Sequence, residues 1–274
     1  MTLFTRDLTV CVLSSGSAGN ATYIGDGRAG VLVDCGLATK QILARMDAAG
    51  LGDAPIDGVL LTHEHKDHVG GAAVLGRALA RRGARVPFFC TAGTRDGLDP
   101  RCHPDGVEVI EAGQAFRVKH LIIEPMPVPH DVRDPVAYRV IVGDTPVAVV
   151  TDLGKPTALV ARALRDCRAV VLEFNHDEDM LLDGPYPYPL KQRIRGNHGH
   201  LSNRQAAQLL VDGLGPRLDH LVLAHLSEEN NTPHRAMSTA RTVLQDAGVL
   251  GRVQVQVASQ HAHLAPITVS SRMW

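Results

Sequence analysis

The sequence lacks the features that mark membrane proteins, disulfide-rich proteins and strongly basic nucleic-acid-binding domains. Aromatic residues make up only 4% of the 274 residues, and apolar runs such as 170–172 are too short to cross a bilayer. The five cysteines include no C-x-x-C pair, which argues against a disulfide framework and against a cysteine zinc site. The formal net charge is -1, so no global basic field exists, although local basic patches remain possible.

These absences favour a globular protein with an ordinary hydrophobic core. Residues 1–10 contain no apolar stretch of signal-peptide length, so we expect a cytoplasmic protein that does not associate with membranes. No repeat, charge block or low-complexity segment divides the chain, and we expect one α/β domain over residues 1–274.

Short apolar runs alternate with amphipathic patterns along the whole chain. Ser202 and Gln205 have the spacing of a capping box, which predicts a helix that begins there. The predicted helices are 39–49, 69–82, 157–165, 202–211 and 233–247. The predicted strands are 8–13, 30–34, 59–62, 86–90, 121–128, 137–142, 147–151, 169–174, 220–224 and 253–257.

Histidine is abundant, with 14 copies, and its placement points to a functional site. Several predicted strands run directly into a His or an Asp. A single Asp after a strand is usually a turn residue. Because ligands of open α/β sheets bind beyond the strand ends, a set of such residues favours a shared site over core packing. The set comprises Asp34, His63, His130, Asp152 and His225.

The densest group of candidate ligands is the segment 63–68, which reads His-Glu-His-Lys-Asp-His. Neutral imidazoles and carboxylates are ligands of Zn²⁺ and similar divalent ions, so we interpret the segment as a metal site rather than a solvated loop. It offers more ligands than the three that one catalytic zinc takes from a protein, which suggests two ions. Asp67 stands where an H-E-x-x-H protease has its second His, so we expect Glu64 to point into solvent.

The segment 63–68, followed by His130, Asp152 and His225, resembles the signature of binuclear hydrolases with the metallo-β-lactamase fold. The resemblance covers nearly the whole chain, because Asp34 matches the first motif aspartate of that fold. It implies a four-layer αββα sandwich and counts Asp34 and Asp67 among the catalytic residues, Asp34 by orienting the ligand loop. The implied ligands are His63, His65 and His130 for one ion, Asp67, His68 and His225 for the other, and Asp152 as the bridge.

Flanking segments resemble the YycJ/WalJ-like branch of this fold, whose members are regarded as DNA exonucleases or phosphodiesterases. These segments are 14–20, 33–36, 128–131, 173–177, 190–194, 199–203 and 226–233. The resemblance implies a DNA substrate and a hydroxide, bridged by two metal ions, that attacks phosphorus. Mn²⁺ and Zn²⁺ both suit a shell of nitrogen and oxygen ligands. The interval between Asp152 and His225 is too short for the β-CASP insertion of RNA-processing members.

Candidate residues for substrate binding and proton transfer lie in polar loops. Ser15, Ser17 and Asn20 belong to a Gly/Ser loop whose amides could bind phosphate, although a tight turn explains them equally well. His176 follows a predicted strand and belongs either to the edge of the active site or to the surface. Either His176 or His200 could protonate the leaving oxygen.

Further substrate candidates lie between residues 186 and 198. We expect Lys191, Arg193 and Arg195 to alternate along a strand-like segment and to place three cations on one face, where they would track a phosphate backbone. A solvated edge is the alternative. His198, in the loop after this segment, is a further candidate for substrate binding. Tyr186, with Tyr188, could stack on bases or brace a rigid loop.

Two other functions remain as alternatives. The first is a small-molecule hydrolase on the same fold, such as a thioesterase or a lactamase-like enzyme. The second is a non-catalytic metal-binding partner in a signalling or repair complex, against which the complete ligand set argues. The sequence leaves the oligomeric state open.

Overall fold

Residues 7–270 are described by a computed structural model, so residues 1–6 of the N-terminal stretch considered above lie outside the described residues. The described residues form two seven-stranded sheets. In order across the first sheet, the strands are β14 (Ile267–Val269), β1 (Leu8–Ser14), β2 (Ala21–Gly25), β3 (Gly30–Val33), β4 (Gly58–Leu60), β5 (Phe88–Thr91) and β6 (Val107–Ile110).

The second sheet has the same number of strands. In order across it, they are β13 (Gln254–Val257), β12 (His220–Ala224), β11 (Ala169–Glu173), β10 (Thr145–Val150), β9 (Val136–Val142), β8 (Leu121–Pro127) and β7 (Phe116–Val118). The helices are α1 (Thr39–Ala48), α2 (Lys66–Val69), α3 (Ala72–Arg81), α4 (Ala92–Gly97), α5 (Ala158–Leu164), α6 (Glu178–Asp183), α7 (Tyr188–Arg195), α8 (Asn203–Gly213) and α9 (Pro233–Asp246).

Three hydrophobic clusters separate four layers. The central cluster lies between the two sheets and contains Val31 from the first and Val149 from the second. Ile42 of α1 and Leu75 of α3 pack on the outer face of the first sheet. Leu209 of α8 belongs to the cluster that covers the outer face of the second sheet, together with residues of α5 and α9. This arrangement confirms the predicted αββα sandwich, because each apolar sheet face is buried against another layer.

Both sheets contain a parallel half whose strands point to one edge. Strands β3 to β6 are parallel in the first sheet, with Val33 opposite Leu60, and β10 to β13 are parallel in the second. Strand β8 runs in the same direction as β10, because both pair antiparallel with β9. All residues of β3, β10 and β11 are buried, as expected for parallel strands covered on both faces.

The predicted capping box at the start of α8 is present. The Ser202 hydroxyl accepts a hydrogen bond from the Gln205 backbone N–H, and the Gln205 side chain accepts one from the Ser202 N–H. This reciprocal pair satisfies two N–H groups that the first turn of a helix leaves without partners.

The strand-like conformation predicted for residues 191–195 is wrong, because these residues lie in helix α7. Pro187 caps the helix and Pro189 lies in its first turn, where a missing N–H costs no hydrogen bond. Successive helical residues are about 100° apart, so Lys191 and Arg195 share a face that Arg193 does not. The three cations therefore do not form one row.

Further differences concern element boundaries and short elements. The predicted helix 69–82 corresponds to α3, which begins later at Ala72, and the unpredicted single turn α2 precedes it, with Gly70 and Gly71 between them. The short elements α4, α6, β6, β7 and β14 carry too little periodicity to be predicted. Among residues 7–270, no helix has the length and apolar character that crossing a membrane requires.

Candidate metal centre and adjoining cavity

The carboxyl ends of strands from both sheets place acidic and histidine side chains at one edge of the sandwich. Asp34 directly follows β3, and His63 lies just after β4. Asp152 lies just after β10, Glu173 ends β11, and His225 follows β12. The strand ends therefore carry these side chains to a common position, as in other open α/β sheets.

The first group of donor atoms consists of His63, His65 and His130, whose ring nitrogens all lie within 4.8 Å of one another. His63 Nε2 lies 3.1 Å from His65 Nδ1, and His130 Nε2 lies 3.4 Å from the same atom. Three imidazole nitrogens that converge in this way are the ligand set that a divalent ion of the zinc type prefers.

The second group consists of Asp67, His68 and His225. Asp67 Oδ2 lies 3.3 Å from His68 Nε2 and 3.6 Å from His225 Nε2. Asp67 and His68 are neighbours in the single turn of α2, while His225 comes from the second sheet. This group therefore joins the two halves of the sandwich.

Asp152 lies between the two groups. Its Oδ2 atom is 3.0 Å from His68 Nε2, and its Oδ1 atom is 3.7 Å from His225 Nε2. Oδ1 also lies 3.9 Å from His130 Nε2, in the first group. One carboxylate thus approaches both groups, which is the position that a bridging ligand requires.

The hydrogen bonds around these histidines fit divalent metal ions. Away from the centre, His68 Nδ1 donates to Asp34 Oδ2 at 2.7 Å, and His130 Nδ1 donates to the Gly199 carbonyl at 3.0 Å. Such outer hydrogen bonds fix the tautomer of each histidine and leave the lone pair of Nε2 free to bind a metal. At the centre, His225 Nε2 is buried and has no hydrogen-bond partner among the described residues.

Charges within the centre balance one another. Burial lowers the pKa of His63 well below its usual value, so its imidazole is neutral. Burial would lower the pKa of His225 as well, but Asp152, Asp67 and Glu173 raise it to about 10. Burial would raise the pKa of Asp152, but His225 and His68 hold it well below its usual range. Protons thus supply positive charge that a bound cation would replace, so metal binding releases protons.

The backbone at three of these strand ends is strained. Asp34, Asp152 and His225 have φ values of 62°, 56° and 54°. This left-handed region is uncommon for residues other than glycine, and its cost persists where the surrounding structure enforces it. Outside these three, Lys119 is the one non-glycine residue with positive φ between residues 7 and 270. We call the two groups of donor residues, together with Asp152, the donor cluster. Backbone strain is therefore concentrated at this cluster and at Asp34 beside it.

Glu173 is a functional candidate that sequence reasoning missed. Its fully buried carboxylate accepts hydrogen bonds from the Leu153 N–H at 2.8 Å and from His200 Nδ1 at 2.8 Å. It also lies 3.3 Å from His225 Nδ1. Burial would raise its pKa, but His200 and His225 lower it to about 2. Glu173 ends β11, as the predicted residues follow their strands, but the sequence pattern extends the strand to Phe174 and hides this position.

The loop after β1 supports the donor residues from below. The Ser15 hydroxyl accepts a hydrogen bond from the His225 N–H at 2.8 Å. The Asn20 amide lies 3.4 Å from Asp67 Oδ2 and 3.1 Å from His68 Nε2. Ser15 and Asn20 are both buried, so the structure does not place them where a substrate would reach them, contrary to the expectation from sequence.

Gln260 holds this loop in place. Its amide donates to the Ser14 hydroxyl at 2.8 Å and to the Gly19 carbonyl at 2.9 Å, and its side-chain oxygen accepts from the Ala18 N–H. Sequence reasoning missed Gln260, because one polar residue in a C-terminal loop carries no pattern.

A cavity of about 270 Å³ adjoins the donor cluster. His200 connects the two, since it lines the cavity and its Nδ1 atom lies 3.4 Å from Asp152 Oδ1. Burial would lower the pKa of His200, but Glu173 and Asp152 raise it. The lining comprises Ser17, Asp131, Asn175, Tyr186, Leu190, Arg193, Ile194, Gly199, His200 and Ser227. Three sequence candidates, Ser17, Arg193 and His200, therefore meet at one cavity.

Other sequence candidates lie elsewhere. Lys191 Nζ donates to the Leu182 carbonyl, Arg195 lines a separate cavity, and His198 is exposed in the loop after α7. His176 is buried beside the separate cavity, and burial lowers its pKa to about 4. The structure therefore does not bring His176 to the donor cluster, contrary to its expected catalytic role.

The expectation that Glu64 points into solvent is wrong. Its Oε1 atom accepts a hydrogen bond from the Arg133 N–H at 3.1 Å, and its side chain lies against Gly97 of α4. Glu64 thus connects the ligand segment to α4 and to the loop that carries Arg133.

The chain is similar to known proteins in both sequence and structure. Residues 30–226 match the family model described as the beta-lactamase superfamily domain. Exodeoxyribonuclease YycJ from Bacillus anthracis is 32% identical over 240 residues, which cover 86% of this chain and 89% of the relative. Exodeoxyribonuclease WalJ from Streptococcus pneumoniae serotype 2 is 31% identical over 241 residues, which cover 86% and 88%.

A solved structure agrees with the fold. The metallo-beta-lactamase fold protein YhfI from Bacillus subtilis superposes with a TM-score of 0.69, covering 94% of this chain and 99% of that protein. The sequence identity is 17%, so this likeness concerns the fold alone.

Proposed function

The chain belongs to the metallo-β-lactamase superfamily and is a metal-dependent hydrolase, and we propose that it is a binuclear phosphodiesterase that acts as a DNA exonuclease. We further propose that residues 1–274 form one hydrolase domain without a β-CASP insertion and that the protein works in the cytoplasm. Support for the substrate comes from the YycJ and WalJ relatives, which are both named exodeoxyribonucleases and match across 86% of the chain.

The observation that carries the binuclear proposal is the position of Asp152 between two groups of three donors. We assign one ion to the group of His63 and its partners, and the other to the group of Asp67, with Asp152 shared. When bound, such ions supply a nucleophilic hydroxide at neutral pH and neutralise charge on the phosphate. Mn²⁺ and Zn²⁺ both suit these ligands.

The residues of the chain itself orient the reaction. The Asp34 carboxylate fixes His68, and the Thr62 N–H donates to Asp34 at 2.9 Å, so the segment 63–68 is held in one geometry. His200 Nδ1–H donates a hydrogen bond to Glu173. Its Nε2 atom is therefore the one that carries the proton for the leaving oxygen. Ser17 and Arg193, at the cavity wall, bind sugar and phosphate oxygens of the substrate.

The decisive experiment is degradation of end-labelled single- and double-stranded DNA by the protein loaded with Mn²⁺ or Zn²⁺. We expect stepwise shortening from an end, and no shortening by the Asp152→Asn variant. RNA of the same sequence and a thioester serve as competing substrates. Hydrolysis of the thioester with DNA intact would instead make the protein a small-molecule hydrolase. Bound metal without any hydrolysis would make it a non-catalytic metal-binding partner.

A further inference from the structure

The cavity beside the donor cluster has two kinds of wall. Tyr186, Leu190 and Ile194 contribute apolar surface, and Leu190 and Ile194 share one face of α7 because they are one turn apart. Ser17 and Ser227 contribute hydroxyl groups to the same cavity. A nucleoside has the matching composition, since its base is a flat apolar surface and its sugar carries oxygens.

We propose that this cavity binds the unpaired terminal nucleoside of a DNA strand, with Tyr186 stacked on the base, and thereby restricts the enzyme to strand ends. This inference rests on the proposed nuclease function and adds to it the residues that select an end.

The size of the cavity fits one nucleoside rather than a length of polymer. Its volume of about 270 Å³ lies just below the range of about 300–1,000 Å³ that is typical of small-molecule sites. A base and its sugar can enter such a space, whereas a paired duplex cannot. The terminal nucleotide must therefore be unpaired when it is bound.

An ion pair closes one side of the cavity. Arg193 Nε on α7 donates to Asp131 Oδ2 at 2.5 Å, and Asp131 Oδ1 lies 3.5 Å from His130 Nε2. The pair links α7 to the loop that carries His130, so a strand that continues on that side has to break the pair. A chain that ends in the cavity leaves the pair intact, which favours action at ends.

Tyr186 is held ready for stacking, whereas its neighbour Tyr188 is not. Tyr186 lines the cavity and is half-buried, while Tyr188 is 72% exposed and does not line it. Pro185, Pro187 and Pro189 flank the two tyrosines and restrict the backbone, which lowers the entropy lost when a base stacks. The two tyrosines thus form a matched pair for an experiment.

The test uses single-stranded oligonucleotides that differ only in whether the terminal nucleotide carries its base or is abasic. The wild-type holoenzyme should remove the intact terminus faster. Loss of a stacked base costs between about 5-fold and about 150-fold, so Tyr186→Ala should slow removal of the intact terminus by that amount, to near the abasic rate. Tyr188→Ala should keep the wild-type preference. An equal preference in Tyr186→Ala and wild type would overturn the proposal.

Binding gives a readout that does not depend on turnover. Calorimetry should show that thymidine 5′-monophosphate binds at least about 5-fold more tightly than deoxyribose 5-phosphate, and that Leu190→Ala reduces this difference. Equal affinities for the two probes would contradict a base-binding cavity. Leu190→Ala also replaces Tyr186→Ala as the test variant if the latter does not fold.

Circular single-stranded DNA separates this inference from the function on which it rests. We expect the wild type to leave circles intact while it degrades the linear form of the same sequence. Cleavage of both forms at similar rates would overturn the exonuclease activity and the cavity proposal together, whereas degradation of the linear form alone, without a preference for the intact terminus, would overturn the cavity proposal and leave the exonuclease activity standing. Failure to cleave either form would overturn both.

Discussion

The donor cluster lies next to the cavity that helix α7 lines, but the two regions are held in opposite ways. Most of the donor side chains are buried beneath strand ends, and hydrogen bonds that these residues donate to neighbours such as Asp34 and Ser15 fix them. Helix α7 has no buried residue and is tied down by exposed contacts, including those of Lys191 and Arg193. The chemistry therefore depends on rigidly held donor residues, whereas the side chains of α7 that contact substrate can change at little cost to the free energy of unfolding.

The largest expected effect is that of Asp152→Ala, which removes the carboxylate shared by both donor groups. We expect metal content to fall and activity to drop on the order of 10³-fold or more, as when a member of an interdependent catalytic set is removed. Elemental analysis and turnover measure the two effects. A variant that keeps one ion and full activity would contradict the binuclear assignment.

Glu173→Gln tests whether a residue outside both donor groups is needed to hold the donor residues in position. Glu173 fixes His200 and His225, and loss of such a supporting carboxylate typically costs about 10–100-fold in activity or metal affinity. Glu178→Gln is the control, because Glu178 lies beside the separate cavity. Equal activity in both variants would show that Glu173 is not needed.

Acid should weaken the contacts of Glu173 with His200 and His225. The folded protein lowers the pKa of Glu173 from 4.5 to about 2, so the unfolded chain takes up this proton first. The contribution of Glu173 to stability is complete above pH 4.5 and is lost as the pH falls toward 2. Thermal unfolding between these pH values should therefore depend less on pH in Glu173→Gln than in wild type. An unchanged dependence would show that other carboxylates dominate.

On α7, Arg193→Gln should reduce the salt dependence of DNA binding. Each phosphate that a cation no longer neutralises lowers the slope of log K against log salt by about 0.7 on single strands. Because the helix separates Arg193 from Lys191 and Arg195, replacing all three should change the slope by about 0.7 rather than by about 2. Lys191→Gln alone is the control, and its slope should equal that of wild type. A change near 2 would mean that the DNA contacts all three side chains.

The smallest effect on catalysis is expected from His176→Ala. His176 is buried away from the cavity, so its loss should reduce stability by about 1–3 kcal/mol without changing the pH dependence of turnover. Denaturant unfolding and a pH–rate profile measure the two quantities. A pH–rate profile that differs from that of the wild type would show that His176 acts in the active site.

The same contrast explains what the sequence could predict. Asp34, His63, His130, Asp152 and His225 were found because an apolar strand followed by a polar side chain is a local pattern. Glu173 ends β11 in the structure, but the predicted strand 169–174 continues to Phe174 and places Glu173 inside the strand, so the same rule does not select it. These positions depend on strand ends, which topology brings together in a predictable way.

Helix α7 was mispredicted for a physical reason. Its alternating cations fit a strand of period two as well as a short helix, and it has no buried face to decide between them. Ser15 and Gln260 show a second limit. Their roles depend on contacts across more than 200 residues, which no local pattern encodes.

The clamp that Gln260 places on the loop after β1 has a consequence for how the protein is made. Ser14 and Gln260 are 246 residues apart, and a ribosome that adds about 5–20 residues per second needs about 12–50 s to cover that distance. Throughout this time the loop that supports His225 and Asp67 lacks its partner. A nascent chain can thus form much of both sheets before its donor atoms are fixed, so a ribosome-bound chain that ends before Ser259 should be folded in large part but unable to hold metal tightly.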